Sequence, residues 1–576
     1  MATSTGGEVI ARMLAAEGVD TVFGIIDGTY FGLYSVFQEF DIRLISPRHE
    51  TSALHMAGTY ARLTGKLGVA IASNGPGVAN ALPGIAVENG EGNRVLLITS
   101  SRREGIGYPD RGGTFQYFDQ AAVTKPRTKW AAAIPNRDRI PDLMRRAFRS
   151  SWSGRPGVVH VDVPESVMNG KSKFDPDLIR PYLSYRRAHP IVPDAGQVEN
   201  AARILLAAKS PLIHAGTGVI HARAHDELRN VAELLGAPVT TSWGGRGALE
   251  ETHPLSIPML HLDLYTKLRN NADVVLVLGS RLGETDWWGK PPYWAATQKV
   301  IQVDIDDSSL GVNKAVDLAV LGDIRSFLEQ LGKVLEDDPP GEPQPDTWTE
   351  DRRADRAKLD KRLEKTREGV NPGAVPLVAQ DTLPADTVWV FDGGNATVWS
   401  HFFHEAKTPN SVVTTFKFGM LGAGVAQALG AKIALSDRPV CCLIGDGAMG
   451  FHPQELETAV RNDLPVIYVV FVDRQWGMVK MNQQFSLKPL KTLVRKSLGE
   501  DETINADFSE IRFDDLARSM GAHGERVSEV AELAPALERS LASGLPSVIH
   551  VDVDPVTHMW APALRSFKDM HQEPSG

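Results

Sequence analysis

Asp446 and Asp473 each stand at the end of an apolar run that reads as a buried β-strand, Val440–Ile444 and Val466–Val472. Gly445-Asp446-Gly447 follows the first run directly. Glycines flanking a carboxylate at a strand's C-terminal end let the backbone approach a phosphate, and the carboxylate offers a hard oxygen to Mg²⁺. The two acids are 27 positions apart, room for one strand–helix–strand unit with its helix at Pro453–Arg461. Both are therefore expected at one edge of a parallel sheet, where open α/β sheets bind ligands and a helix N-terminus can face an anion. A tight turn that happens to read GDG is the bland alternative. The spacing, together with Trp476-Gly477 after the second acid, favours a site.

A third acid, Glu50, follows Arg48-His49 and opens the helical pattern Thr51–Leu63. By itself it is an ordinary first-turn residue, favoured by the helix dipole. A turn, Asn74-Gly75-Pro76-Gly77-Val78-Ala79-Asn80, comes after that helix. Asp392-Gly393-Gly394-Asn395 follows the apolar run Val388–Phe391, and Phe418–Gly424 is rich in small residues. Lys488, Lys491, Arg495 and Lys496 form a basic stretch: either a solvated face or a contact for phosphates. The aromatic cluster Trp287-Trp288 with Tyr293-Trp294 suggests no role.

The elements that must position these residues repeat through 576 residues, enough for about three or four domains. Short β-branched runs alternate with helix-length segments, which predicts α/β architecture with three doubly wound parallel-sheet domains. Seams at Arg180–Asp194 and at the acidic, proline-rich Glu336–Asp346 place these domains at 1–182, 190–335 and 370–560. A linker with a charged surface helix, Thr349–Gly369, occupies 336–369, and 561–576 is a tail. A net charge of −10 without a basic block argues against a nucleic-acid partner. Cys441 and Cys442, the two cysteines, are neighbours in an apolar strand, so no disulfide framework is expected and a reducing cytoplasm fits. No apolar run is long enough for a transmembrane helix, and the N-terminus lacks the features of a signal peptide.

Taken together, these motifs resemble the thiamine-diphosphate enzyme superfamily, in its acetolactate synthase and 2-hydroxyacyl-CoA lyase branch (oxalyl-CoA decarboxylase-like). The family pattern is GDG, a spacer of this length, then usually two asparagines; here the pair is Val472-Asp473. The resemblance implies thiamine diphosphate and Mg²⁺ as cofactors. Asp446, Asp473 and the backbone carbonyl of Gln475 would be the metal ligands, with one extra negative charge where Asp replaces Asn. Gly394, Asn395, Gly447 and Ala448 would line the diphosphate. Gly419 would offer a carbonyl to the 4′-amino group, and Leu421 would be the apolar wedge beneath the cofactor. Glu50 would hydrogen-bond the aminopyrimidine and promote loss of the thiazolium C2 proton. Gln116, in Phe115-Gln116-Tyr117-Phe118-Asp119-Gln120, would face the substrate, and Tyr30 is a second candidate for substrate contact.

In the middle domain, Asp304, Ile305, Asp323 and Ile324 match strand-end positions that hold ADP or FAD in relatives; acids that simply cap turns are the alternative there. Arg281-Leu282-Gly283-Glu284-Thr285 replaces the usual flavin stretch and argues against FAD. The family also implies active sites shared between subunits, hence a homodimer or homotetramer. The Asn395 loop is closer to that of CoA-dependent lyases than to that of acetolactate synthases. A 2-hydroxyacyl-CoA lyase, releasing an aldehyde or ketone plus formyl-CoA from a CoA thioester, is therefore the leading expectation. The alternative is an acetolactate-synthase-like carboligase or decarboxylase acting on pyruvate or another 2-oxo acid. An inactive scaffold homologue is the third reading, and Glu50, Asp446 and Leu421 argue against it.

Overall fold

The computed structural model describes residues 2–106, 111–341, 346, 348–415, 417–564 and 566. Residues 342–345 of the acidic linker and 567–576 of the expected tail therefore lie outside the described residues. The chain forms two compact units. One comprises Met1–His189 with Ala423–Asp437 and His452–Leu464; the other comprises Pro190–Gly422, Arg438–Phe451 and Pro465–Gly576. Three sheets of six parallel strands, flanked by helices, are distributed over them, as the alternation of apolar runs requires.

The sheet of the first unit runs, edge to edge, through Arg43–Ile45, Thr21–Gly24, Gly68–Ala72, Val95–Ser101, Val158–Pro164 and Trp130–Ala133. Its strand order by appearance is 2-1-3-4-6-5, so the direction of winding reverses between Thr21–Gly24 and Gly68–Ala72. Ala2–Thr5 pairs antiparallel with Lys171–Phe174 as a separate ribbon. Helix Glu50–Thr64 is buried along most of its length and lies against helix Ala423–Ala434. A Cβ on Gly430 would sit 2.5 Å from the Met56 carbonyl, so small residues in that second helix are what permit the approach.

In the second unit the middle sheet follows the order 3-2-1-4-5-6: Ser256–Ile257, Val239–Thr241, Pro211–Ala215, Val274–Leu278, Lys299–Asp304 and Leu318–Leu321. The last sheet repeats the order of the first: Val412–Thr414, Val388–Asp392, Val440–Gly445, Val466–Val472, Ser547–Asp552 and His523–Val527. Every residue of Val440–Gly445 and Val466–Val472 is buried, which accounts for their uninterrupted apolar composition. Cys441 and Cys442 sit inside the first of these as buried free thiols whose ionisation burial suppresses.

Two local expectations change. The charged helix starts at Thr349 but stops at Asp360, short of Gly369. Beyond it the Asn371 side-chain amide donates to the carbonyls of Arg362 (2.9 Å), Leu363 (3.3 Å) and Lys365 (3.2 Å) and so holds a turn instead. The aromatic cluster acquires a packing role. Trp294 and Tyr265 place their rings 4.1 and 3.7 Å from the buried Arg269 guanidinium, which also pairs with Asp286 at 3.2 Å.

Candidate active site

The last sheet brings the metal and diphosphate candidates together. Strands Val440–Gly445 and Val466–Val472 are neighbours, with Gly445 opposite Phe471, so Asp446 and Asp473 emerge at the same edge. Winding reverses between Val388–Asp392 and Val440–Gly445, and loops that follow a switch of this kind form a ligand crevice. Those loops touch: a Cβ on Gly393 (φ 102°) would lie 3.1 Å from the Gly445 amide nitrogen. Asp446 accepts from the amides of Gly447 and Arg474, both at 2.7 Å. Arg474 adopts φ 56°, the left-handed turn that aims its N–H at that carboxylate.

Burial, and then the charge of Asp473, push the Asp446 carboxyl well above its ordinary range. A divalent cation between two such oxygens would remove that penalty. Asn395 opens helix Asn395–Phe403, is 4 % exposed, and has no hydrogen-bond partner at either amide atom among the described residues. Burying an unpaired amide costs roughly 1–3 kcal/mol, so its retention here points to a polar ligand. Gly477, first residue of helix Gly477–Leu487, is near enough that an added Cβ would fall 2.5 Å from Asn395 Nδ2. Two helix N-termini thus adjoin, an arrangement that favours anions. The donor set fits a diphosphate held through a hard cation.

Gly419 (φ 69°) is exposed and Leu421 half-buried on the turn that follows strand Val412–Thr414. No contact among the described residues places either of them in the Asp446 crevice. Gly447 and Ala448 lie in the short helix Asp446–Met449 within it. The carbonyl proposed as a ligand belongs to Gln475, whose side chain donates to Asp473 Oδ2 at 3.1 Å.

In the first unit Glu50 is the first residue of its helix, 8 % exposed. Its Oε2 accepts from Asn80 Nδ2 at 3.1 Å, and Oε1 has no hydrogen-bond partner among the described residues. Gly77 lies against it: an added Cβ would be 3.3 Å from Oε1. Gln116 sits on the other side of the same Asn74–Asn80 turn, exposed and at φ 53°. Asn74 Nδ2 donates to its carbonyl at 3.0 Å, and a side chain on Gly75 would strike that carbonyl.

Asn80 and Gln120 hold the Glu50 side chain and the Asn74–Asn80 turn in place, contacts that the sequence alone did not single out. Gln120 accepts from the Gly75 amide at 2.6 Å and donates to Asp162 at 2.7 Å, which fixes the turn from below. The repeated Gln of Phe115–Gln120 and the closing Asn of the turn were the available signals. Burial lifts the Asp162 carboxyl to about 7 against the donation from Thr99 and Gln120. The native state thus keeps a proton that the unfolded chain releases near pH 4, so stability falls as pH rises from about 4 to about 7. Asp162→Asn is expected to stabilise the fold at pH 8 by on the order of 4 kcal/mol, seen as a higher thermal midpoint, and to leave the midpoint nearly unchanged at pH 4. Equal midpoints at pH 8 would show that the buried carboxylate costs nothing.

Other candidates take structural roles. Tyr30 is 1 % exposed and its hydroxyl donates to the Ile25 carbonyl, so it packs rather than presenting its hydroxyl to a substrate. Asp304 accepts from the Asp306 amide at 3.0 Å and Asp323 caps helix Ile324–Asp337 through Ser326, also at 3.0 Å. Ile305 follows its strand half-buried, and Ile324 is a core residue. Turn capping, the alternative left open at Asp304 and Asp323, describes both. In the basic stretch, Lys488 pairs with Glu502 at 2.9 Å and Lys491 pairs with the same carboxylate, which weakens the case for a phosphate contact.

Comparison with known proteins identifies the family. Residues 4–123 match the N-terminal thiamine pyrophosphate (TPP) binding domain of thiamine pyrophosphate enzymes, 198–331 their central domain, and 392–551 their C-terminal TPP binding domain. The chain is 30% identical to a probable acetolactate synthase large subunit of Methanocaldococcus jannaschii, over 96% of this chain and 92% of that one. A sulfoacetaldehyde acetyltransferase of Alcaligenes xylosoxydans xylosoxydans is also 30% identical, covering 93% and 90%. The acetolactate synthase isozyme 3 large subunit of Escherichia coli K12 is 30% identical over 83% and 84%.

The chain belongs to the thiamine pyrophosphate enzyme family, in its acetolactate-synthase-like branch, and is a thiamine-diphosphate-dependent enzyme. These comparisons favour the acetolactate-synthase-like alternative over the 2-hydroxyacyl-CoA lyase that led the sequence analysis. No helix among the described residues is long and apolar enough to cross a membrane.

Proposed function

We propose that this protein is a thiamine-diphosphate- and Mg²⁺-dependent carboligase or decarboxylase of the acetolactate-synthase type. It acts on pyruvate or another small 2-oxo acid, as a cytoplasmic homodimer or homotetramer. The observation that carries this reading is the crevice where Asp446 and Asp473 meet the unpartnered amide of Asn395, on a chain similar along its length to proteins named acetolactate synthase. When bound, thiamine diphosphate supplies a nucleophilic carbon at its thiazolium C2.

The chain's own residues do the rest. Asp446, Asp473 and the Gln475 carbonyl hold the Mg²⁺, and Gly394, Asn395, Gly447 and Ala448 line the diphosphate. Asn80 fixes Oε2 of Glu50 and leaves Oε1 to carry the proton exchanged with the pyrimidine ring. Gln116 meets the substrate from the opposite side of the turn. Gly419 offers its carbonyl to the 4′-amino group, and Leu421 is the apolar wedge beneath the cofactor. With Asp304 and Asp323 engaged in capping, the reading assigns no role to ADP or FAD.

One observation favours a second reading. Asn395 matches the loop of CoA-dependent lyases, so cleavage of a 2-hydroxyacyl-CoA remains the competitor. Incubation with thiamine diphosphate, Mg²⁺ and either pyruvate or a 2-hydroxyacyl-CoA, followed by mass-spectrometric identification of products, separates them. Acetolactate or carbon dioxide from pyruvate is expected. Formyl-CoA from the thioester alone would replace the proposal by the lyase, and no reaction with the thioester, pyruvate or a panel of other small 2-oxo acids would reject it.

A further inference from the structure

Where the family usually has asparagine, this chain has Asp473, and the structure shows what surrounds it. An asparagine offers a cation one oxygen; a carboxylate offers two equivalent ones and is free to exchange them. Here the symmetry is broken. His558 Nδ1 lies 2.6 Å from Asp473 Oδ2, and Gln475 Nε2 donates to the same oxygen at 3.1 Å. Oδ1 accepts no hydrogen bond among the described residues. His558 and Asp473 are both buried, 4 % and 6 % exposed.

His558 is itself held in place. Asp554 caps helix Pro555–Met559 by accepting from the amides of Val556 and Thr557, each at 2.9 Å. The Trp399 indole donates to the His558 carbonyl at 2.9 Å, and the imidazole stacks on Phe471, with ring centroids 5.7 Å apart. Gln475 Nε2 also donates to the Pro555 carbonyl at 2.7 Å. Two contacts, through Gln475 and His558, therefore fasten this C-terminal turn to the loop that carries Asp473.

We propose that His558 is a positioning residue for the cation site: by engaging Oδ2 it makes Asp473 present Oδ1 alone, so that an aspartate serves where relatives use asparagine. The inference rests on reading Asp473 as a cation ligand. Partners that orient a metal ligand typically contribute 10- to 100-fold in affinity.

The test is a double-mutant cycle on the full-length protein, read as Mg²⁺ affinity by calorimetry with thiamine diphosphate saturating. His558→Phe keeps the stack on Phe471 but removes the donor, and should weaken Mg²⁺ about 10-fold or more. His558→Asn, whose amide nitrogen can replace Nδ1, should restore most of the affinity. In an Asp473→Asn background, which should itself still bind the cofactor, His558→Phe should cost no more than about two-fold. Equal losses in both backgrounds, or no loss in the wild-type background, would overturn the positioning role and leave Asp473 as a ligand. A merely structural role would lower the thermal midpoint alike in both backgrounds without this coupling. If His558→Phe does not fold, Mg²⁺ affinity of His558→Gln, which moves the amide away from Nδ1, gives the same comparison. Wild-type protein that binds no Mg²⁺ with the cofactor would defeat the ligand reading, and the inference with it.

Discussion

Glu50→Gln is expected to lower kcat by about 10²- to 10⁴-fold, the usual contribution of a positioned acid–base group. Affinity for thiamine diphosphate should change little. The expectation follows from how Glu50 is held. Asn80 donates to Oε2, and the residue opens a helix whose N-terminus favours its charge. Glutamine can keep the contact with Asn80 and the fit against Gly77, but its amide cannot carry the proton. Steady-state kinetics and cofactor calorimetry on one preparation separate the two effects. Equal losses in kcat and in binding would mean that the substitution disturbed the turn rather than the chemistry.

Asp446→Ala should act on binding instead. It removes one of the two carboxylates at the sheet edge and the acceptor for the Gly447 and Arg474 amides. Mg²⁺-dependent binding of thiamine diphosphate should weaken by about 100-fold or more, beyond the effect expected for a residue that only orients a ligand. The protein without ligands should behave differently. Because the two buried carboxylates repel each other, losing one offsets the missing hydrogen bonds, and the thermal midpoint should fall little or rise. What should vanish is the increase in midpoint that cofactor and Mg²⁺ together produce in the wild type. A persisting increase would place the cation elsewhere.

Much of this molecule is legible from local pattern. Central strands such as Gly68–Ala72 and Val466–Val472 have the expected bounds because burial on both faces demands unbroken apolar runs. Edge strands were harder. Arg43–Ile45, Ser256–Ile257 and Val412–Thr414 are two or three residues long, too short for any period to declare itself. The shared edge of Asp446 and Asp473 followed from counting one strand–helix–strand unit. Partners that fold back from afar did not. Asn80 reaches Glu50 across 30 positions, and His558 reaches Asp473 across 85. No local pattern couples residues so distant, and only the packed chain identifies which polar groups they meet. Substrate choice was the other weak point. The Asn395 loop suggested a CoA ester and the lysines after Asp473 a contact for phosphates, but two of those lysines share Glu502, an acid eleven positions beyond Lys491.

The central claim is that Glu50 activates a coenzyme held at Asp446 and Asp473. Its most direct test is hydrogen–deuterium exchange at C2 of bound thiamine diphosphate, followed by proton NMR after acid quench, in wild type and Glu50→Gln at equal occupancy. The account predicts exchange at least about 10²-fold faster in the wild type. Equal rates in the two proteins, with cofactor bound in both, would contradict it.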